Sequence, residues 1–256
     1  MRLLLLLSLL CATTWLNYVH ALPGDTPIVA YAVRNMTHVA AGNNIRWMRS
    51  EVRVPRATTA QQAQQSFVTL QTGLRSSLHL LDTNAHAFAC VLKWNSATGA
   101  WTIAARYQSA TTHDQSKPEL VYPGQLIENI VEHESDHHWR ISTRVVDTIT
   151  QQRRRRSVYG VHSTLFVKTS EIVRAPWSMI EYAIAATGTN TTRTAASSNS
   201  TILIQNIEYD SMYAPTQWML FTNGASPDVY FSALNDTTLQ LTTSSSSSKS
   251  KKTNSH

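Results

Sequence analysis

Cysteine is scarce: two in 256 residues, too few for a disulfide-built scaffold. Charge is sparse as well, at 15% of residues against 42% hydrophobic, which is the wrong balance for a disordered chain. Outside the N-terminus no apolar run approaches the roughly 18–20 residues that cross a bilayer. Neither a G-x-S-x-G elbow nor a glycine-rich phosphate loop is present, and no carboxylate pair of a glycosidase is evident. Lys and Arg outnumber Asp and Glu by 22 to 16. Much of that excess sits in one run, Arg153 to Arg156, and in Lys249, Lys251 and Lys252. The remainder of the chain is close to neutral, and no nucleic-acid partner is expected.

The first 21 residues have the pattern of an export signal. Arg2 precedes an apolar stretch over 3–12, and Val19-His20-Ala21 supplies small residues at the cleavage positions. A secreted, extracellular protein with no membrane span after cleavage is expected. Export gives meaning to four N-x-S/T sequons, at Asn35, Asn190, Asn199 and Asn235, all in polar, loop-like surroundings and expected to carry glycan. Cleavage leaves one cysteine, Cys90, inside Ala-Phe-Ala-Cys-Val-Leu, a buried-strand pattern in which the thiol serves as a small core hydrophobe. Arg153–Arg156 reads as the charged tip of a hairpin.

The mature chain carries about ten short strand signals. They alternate apolar and polar residues, or run apolar for four to eight residues, between turn residues. Residues 85–94 and 100–107 flank a Gly-containing connector and predict a hairpin. Only 59–65 and 215–222 look helical. An all-β sandwich or barrel follows. The expected organisation is a signal over 1–21, a lead-in over 22–44, the β domain over 45–238, and a disordered Ser/Thr/Lys tail over 239–256.

Several segments together resemble the glutamic peptidase (eqolisin) family within the concanavalin-like jelly rolls. Trp47 with Glu51-Val52-Arg53-Val54-Pro55 is similar to a strand of that family ending in V-P. Cys90-Val91-Leu92-Lys93-Trp94 resembles its I-L-Q-T-G strand, and 99–107 its A-W-Y-E-W-Y strand. Residues 121–127 resemble I-x-x-G-D-x-I, and Ser178-Met179-Ile180-Glu181 the end of A-E-F-I-I-E. The resemblance implies a two-sheet antiparallel jelly roll with a groove on one concave face. It also implies a catalytic Glu acting as general base on water and a Gln amide stabilising the oxyanion. Glu181 matches the Glu. In the register above, the Gln position falls on Lys93, which is no neutral amide. A second register remains open, because Leu70-Gln71-Thr72-Gly73 is literally L-Q-T-G and would make Gln71 the oxyanion residue. The spacing from Lys93 to Trp101, short enough for one hairpin, favours Lys93.

With Lys93 there, the chain is expected to be a non-peptidase member, a pseudoenzyme that binds extracellular glycan or peptide. Trp101, Ile103 and Tyr107, on one face of their strand, are expected to line its groove. An acid-acting endopeptidase using Glu181 with Gln71 is the alternative, and a surface or wall structural protein the third. Acids and three histidines crowd 128–138. They are expected to form a solvated hairpin, with no metal and no cofactor.

Overall fold

A computed structural model describes residues 28–37, 45–56, 66–78, 85–95, 98–146, 160–186, 200–210, 214–215, 217–222 and 229–243. Among them are sixteen strands and no helix. In chain order the first eight are β1 (Ile28–Thr37), β2 (Trp47–Arg53), β3 (Ser66–Arg75), β4 (Ala87–Asn95), β5 (Ala100–Gln108), β6 (His113–Gln115), β7 (Glu119–Val121) and β8 (Leu126–Ser135). The rest are β9 (His138–Val145), β10 (His162–Lys168), β11 (Trp177–Ala186), β12 (Ser200–Tyr209), β13 (Ala214–Pro215), β14 (Met219–Thr222), β15 (Val229–Asn235) and β16 (Thr238–Thr243).

Two sheets form. The first runs β13-β1-β11-β3-β4-β5-β6, with β14 also on β1 and β7 also on β5; the second runs β10-β9-β8-β2-β12-β16-β15. Period-2 patterning decides how they face each other. On β4, Phe88, Cys90, Leu92 and Trp94 are buried; on β5, Trp101, Ile103, Ala105 and Tyr107 are. They meet Ile127, Val131, Trp139 and Ile141 of the second sheet in one core. Phe88 stacks on Trp139 across the interface, ring centroids 4.1 Å apart. Polar groups trapped between the sheets find partners there: Ser50 Oγ with Thr72 Oγ1 at 3.3 Å, and Cys90 Sγ with the Ser142 carbonyl at 3.2 Å. Burial pushes the Cys90 thiol up to about 12, so it stays protonated, as a core residue should.

Three expectations about organisation change. The tail does not begin at 239. β16 lies between β12 and β15, with Leu239 and Leu241 fully buried. Its Thr-Leu-Gln-Leu-Thr alternates, burial alternates through Thr243, and that pattern outweighs a disorder-like composition. The lead-in over 22–44 contains β1, paired with β11 from Ile28 to Asn35. Within the helix-like stretch 215–222, Pro215 and Met219–Thr222 lie in strands, β13 and β14, because pairing with β1 satisfies their backbone. The other helix-like piece, the signal, the Arg153–Arg156 run, Asn190 and Asn199 lie outside the described residues. Asn35 sits in β1, opposite Trp177, rather than in a loop. Asn235 is exposed at the β15–β16 turn, its Oδ1 accepting from the Thr237 amide at 2.9 Å.

His133, half-buried against the core, supplies a pH lever. Its ring lies 4.5 Å from that of Trp139. Burial, opposed by a hydrogen bond with the Asp136 backbone and reinforced by Arg46, holds its pKa below the ordinary 6.5. A depressed base favours the fold when neutral. Its contribution is complete above pH 6.5 and is lost as pH falls below that value toward the folded-state pKa. Denaturant unfolding should therefore show stability decreasing between pH 7.5 and 5, and His133→Phe should flatten that segment of the curve. An unchanged slope would refute the assignment.

Candidate functional site

Face assignment on β3 and β11 locates the site. Val68, Leu70 and Leu74 are in the core, and Thr72 meets Ser50 across the sheets. Thr69, Gln71, Gly73 and Arg75 therefore share the outer face. On β11, Ile180 and Tyr182 are core residues, and Ser178 Oγ lies 3.6 Å from Met48 Sδ of the second sheet. Met179, Glu181 and Ala183 face out with the β3 set. Glu181 stands directly opposite Gln71 on β3 and directly opposite Tyr31 on β1. The row continues through Val91 and Ala104 on one side and Phe221 on the other. Directly opposed residues bring their Cβ atoms to about 5 Å.

This face is recessed although it points away from the second sheet. Glu181 is 5% exposed, Thr69 6% and Val91 7%. A buried carboxylate needs a counter-charge. Arg75 provides it, its Nη2 2.9 Å from Glu181 Oε1, although that contact lacks the alignment of a hydrogen bond. Arg75 lies four residues beyond Gln71, about 13 Å along the strand, so its side chain reaches back toward the pair. Tyr31 is the third group. Burial and then the Glu181 charge raise its phenol above the ordinary value of 10, which keeps it a hydrogen-bond donor across the acid and neutral range. It also stacks on Phe221, centroids 4.7 Å apart and planes 15° from parallel. Neither Arg75 nor Tyr31 is marked by a sequence motif. The alternation in Val29-Ala30-Tyr31-Ala32-Val33 is the signal that places Tyr31 on a strand face.

The structure sets Lys93 apart from Glu181 and puts Gln71 beside it. Lys93 opposes Thr69 on β3. It is two strands from Glu181 and two residues off its row, about 12 Å between Cα atoms on standard sheet spacings. Gln71 adjoins Glu181 with no strand between them. The groove assignment of Trp101, Ile103 and Tyr107 is corrected as well. Trp94 opposes Trp101 and Lys93 opposes Thr102, so these three side chains share the face of Trp94, which is the core. Thr102, Ala104 and Arg106 are the β5 residues on the Lys93 face. Tyr107 instead holds His86, Oη to Nδ1 2.7 Å, while His86 Nε2 lies 3.1 Å from Glu171.

The acid-and-histidine run forms the β8–β9 hairpin. Residues 133–137 spell H-E-x-x-H, a spacing that gathers zinc ligands on a helix. On a hairpin it disperses them. His133 turns inward to Trp139, Glu134 pairs with Arg140, and His137 Nδ1 lies 3.2 Å from the Thr169 carbonyl. Among the described residues no group of three metal-ligating side chains occurs. Glu128 belongs to a network on the outer face of the second sheet. There it opposes Glu51, and Arg49 meets both carboxylates at 2.8 Å. Arg144 adds a further bond to Glu128, and Asn206 one to Glu51 at 2.7 Å. Every oxygen of the two carboxylates has a partner, which suits a structural role.

No protein-family model matches the sequence, and no curated protein matches it either. Solved structures do share its fold. One is Scytalido-glutamic peptidase with a transition-state analog inhibitor: TM-score 0.56, 12% identity, 86% of this chain and 100% of that one. Another is the same peptidase with a peptide-based transition-state analog: TM-score 0.53, 13% identity and the same coverage of both chains. The chain therefore has the two-sheet sandwich fold of glutamic peptidases.

Proposed function

We propose that the protein is an acid-acting glutamic endopeptidase whose reacting pair is Glu181 and Gln71. One observation carries this reading: the carboxylate and the amide stand directly opposite each other on adjacent strands of a recessed face. Glu181 takes a proton from water as its oxygen attacks the scissile carbonyl carbon. The Gln71 side-chain N–H donates to the oxyanion that forms. When the tetrahedral intermediate collapses, the C–N bond breaks and Glu181 passes the proton to the departing amine. Water is consumed, and an acid and an amine are released. A neutral amide suits the oxyanion because it donates at any pH. The Arg75 guanidinium holds the carboxylate in place between turnovers.

A binding role without chemistry is the second reading, favoured by that same Arg75 contact, which occupies one carboxylate oxygen. The two separate in one experiment. The purified chain should digest denatured casein between pH 2 and 5, and inhibitors of serine, cysteine and metallo-peptidases should leave the digestion unaffected. Intact casein across that range would overturn the peptidase reading.

A further inference from the structure

The outer face of the first sheet is chemically lopsided about Glu181 and Gln71, and that asymmetry specifies what lies across it. On the Glu181 side the row reaches Tyr31 and then Phe221. The neighbouring row there holds Met179, Val33 and Met219, aligned by the same pairings. Val33 and Met179 are buried, whereas Phe221 is 37% exposed and Met219 38%. On the Gln71 side those two rows continue through Val91 and Ala104 and through Gly73, Ala89 and Arg106, and the next row along holds Thr69, Lys93 and Thr102. One flank carries large aromatic and apolar side chains; the other carries smaller ones, with Lys93 and Arg106 among them.

We propose that the Tyr31–Phe221 stack is a specificity shelf that takes one large apolar or aromatic side chain of an extended peptide, on the Glu181 side of the bond presented to the pair. The proposal rests on the peptidase reading for the identity of that bond, and the shelf is tested apart from cleavage. Three observations support it. The two rings are nearly parallel, so they present a flat apolar ledge on which a third side chain gains offset or edge contact. The ledge is continuous with the reacting row, one strand from Glu181. The row from Phe221 to Ala104 crosses five interstrand spacings, about 24 Å, which an extended peptide of about seven residues covers. An exposed apolar ledge beside a charged, recessed pair is also what an edge strand would otherwise be selected against.

The test uses labelled Ala/Thr heptapeptides, each with a single Phe moved through the seven positions, and the uncleaving Glu181→Gln chain. Fluorescence anisotropy should show one Phe position binding about tenfold tighter than the all-Ala/Thr peptide. That gain should vanish in Glu181→Gln with Phe221→Ala and be partly kept with Phe221→Leu. Thermal melting of each variant confirms that the edge strand is in place. Equal binding at all seven positions, or a gain that survives Phe221→Ala, would overturn the shelf. So would binding of chitin or β-glucan hexasaccharides with the same Phe221 dependence in place of the peptides. Wild-type chain that binds with the Phe preference yet cuts none of the peptides would remove the peptidase reading and leave the shelf. Cutting with no positional preference would do the reverse.

Discussion

Glu181→Gln is expected to end acid cleavage while the protein stays folded. The substitution keeps the side chain's shape and removes its ability to accept a proton from water, so the step that generates the nucleophile is lost. Structural damage is limited. Arg75 loses its anion but is 19% exposed and keeps access to water, and the new amide is isosteric. A cost of about 1–2 kcal/mol, a few degrees of melting temperature in a domain of this size, is expected. Gln71→Ala should behave differently. Its amide meets an oxyanion that exists only in the transition state, so kcat should fall about 100- to 1,000-fold with KM nearly unchanged. Lys93→Gln discriminates between the two registers. With Lys93 on another row it should leave kcat within about twofold; a large rise in activity would return the oxyanion position to residue 93. Full activity in Glu181→Gln would move the chemistry elsewhere on the molecule.

The largest stability effect belongs to Gly73. A Cβ at this position would stand 2.0 Å from the Phe88 carbonyl oxygen and 2.8 Å from the Ala89 Cα. Both are backbone atoms of the neighbouring strand and cannot rotate aside. Relief therefore requires β3 and β4 to separate locally, which breaks ladder hydrogen bonds and disturbs Phe88, whose ring is stacked on Trp139. Gly73→Ala should cost about 3 kcal/mol, at the upper end for overpacking, and Gly73→Val more. Urea unfolding of the Ala variant should show the midpoint drop directly. A variant as stable as the parent would mean that the strands open without penalty. The strain falls two residues from Gln71, so surviving protein should also cleave less well than its folded fraction predicts.

What could be read from the residues alone follows from the physics of each segment. The sandwich was legible because the short apolar run of β4 and the apolar/polar alternation of β8 and β9, between turn residues, have one stable reading, strands packed on a core. The literal L-Q-T-G at 70–73 also pointed to the pair. Loop length favours the Lys93 register instead, since Lys93 and Trp101 are separated by one short hairpin. In the fold, β3 and β4 are still direct neighbours, because a connection of some ten residues joins antiparallel strands nearly as well as a tight turn. The groove assignment failed on parity. A residue's face across a hairpin depends on register, and here Trp94 opposite Trp101 carries the whole aromatic set inward. Tyr31 and Arg75 were out of reach, because each gains its role from a strand distant in sequence.

The position of β11 also sets when the proposed pair can first form. Gln71 and Glu181 are 110 residues apart in the chain, and β11 is seated between β1 and β3, strands that leave the ribosome long before it. A nascent chain holds the amide early and lacks the carboxylate until synthesis has passed residue 181. Loop closure of that length makes the pairing a late, slow event. The proposed pair is thus withheld by topology until β11 has been made and seated between β1 and β3.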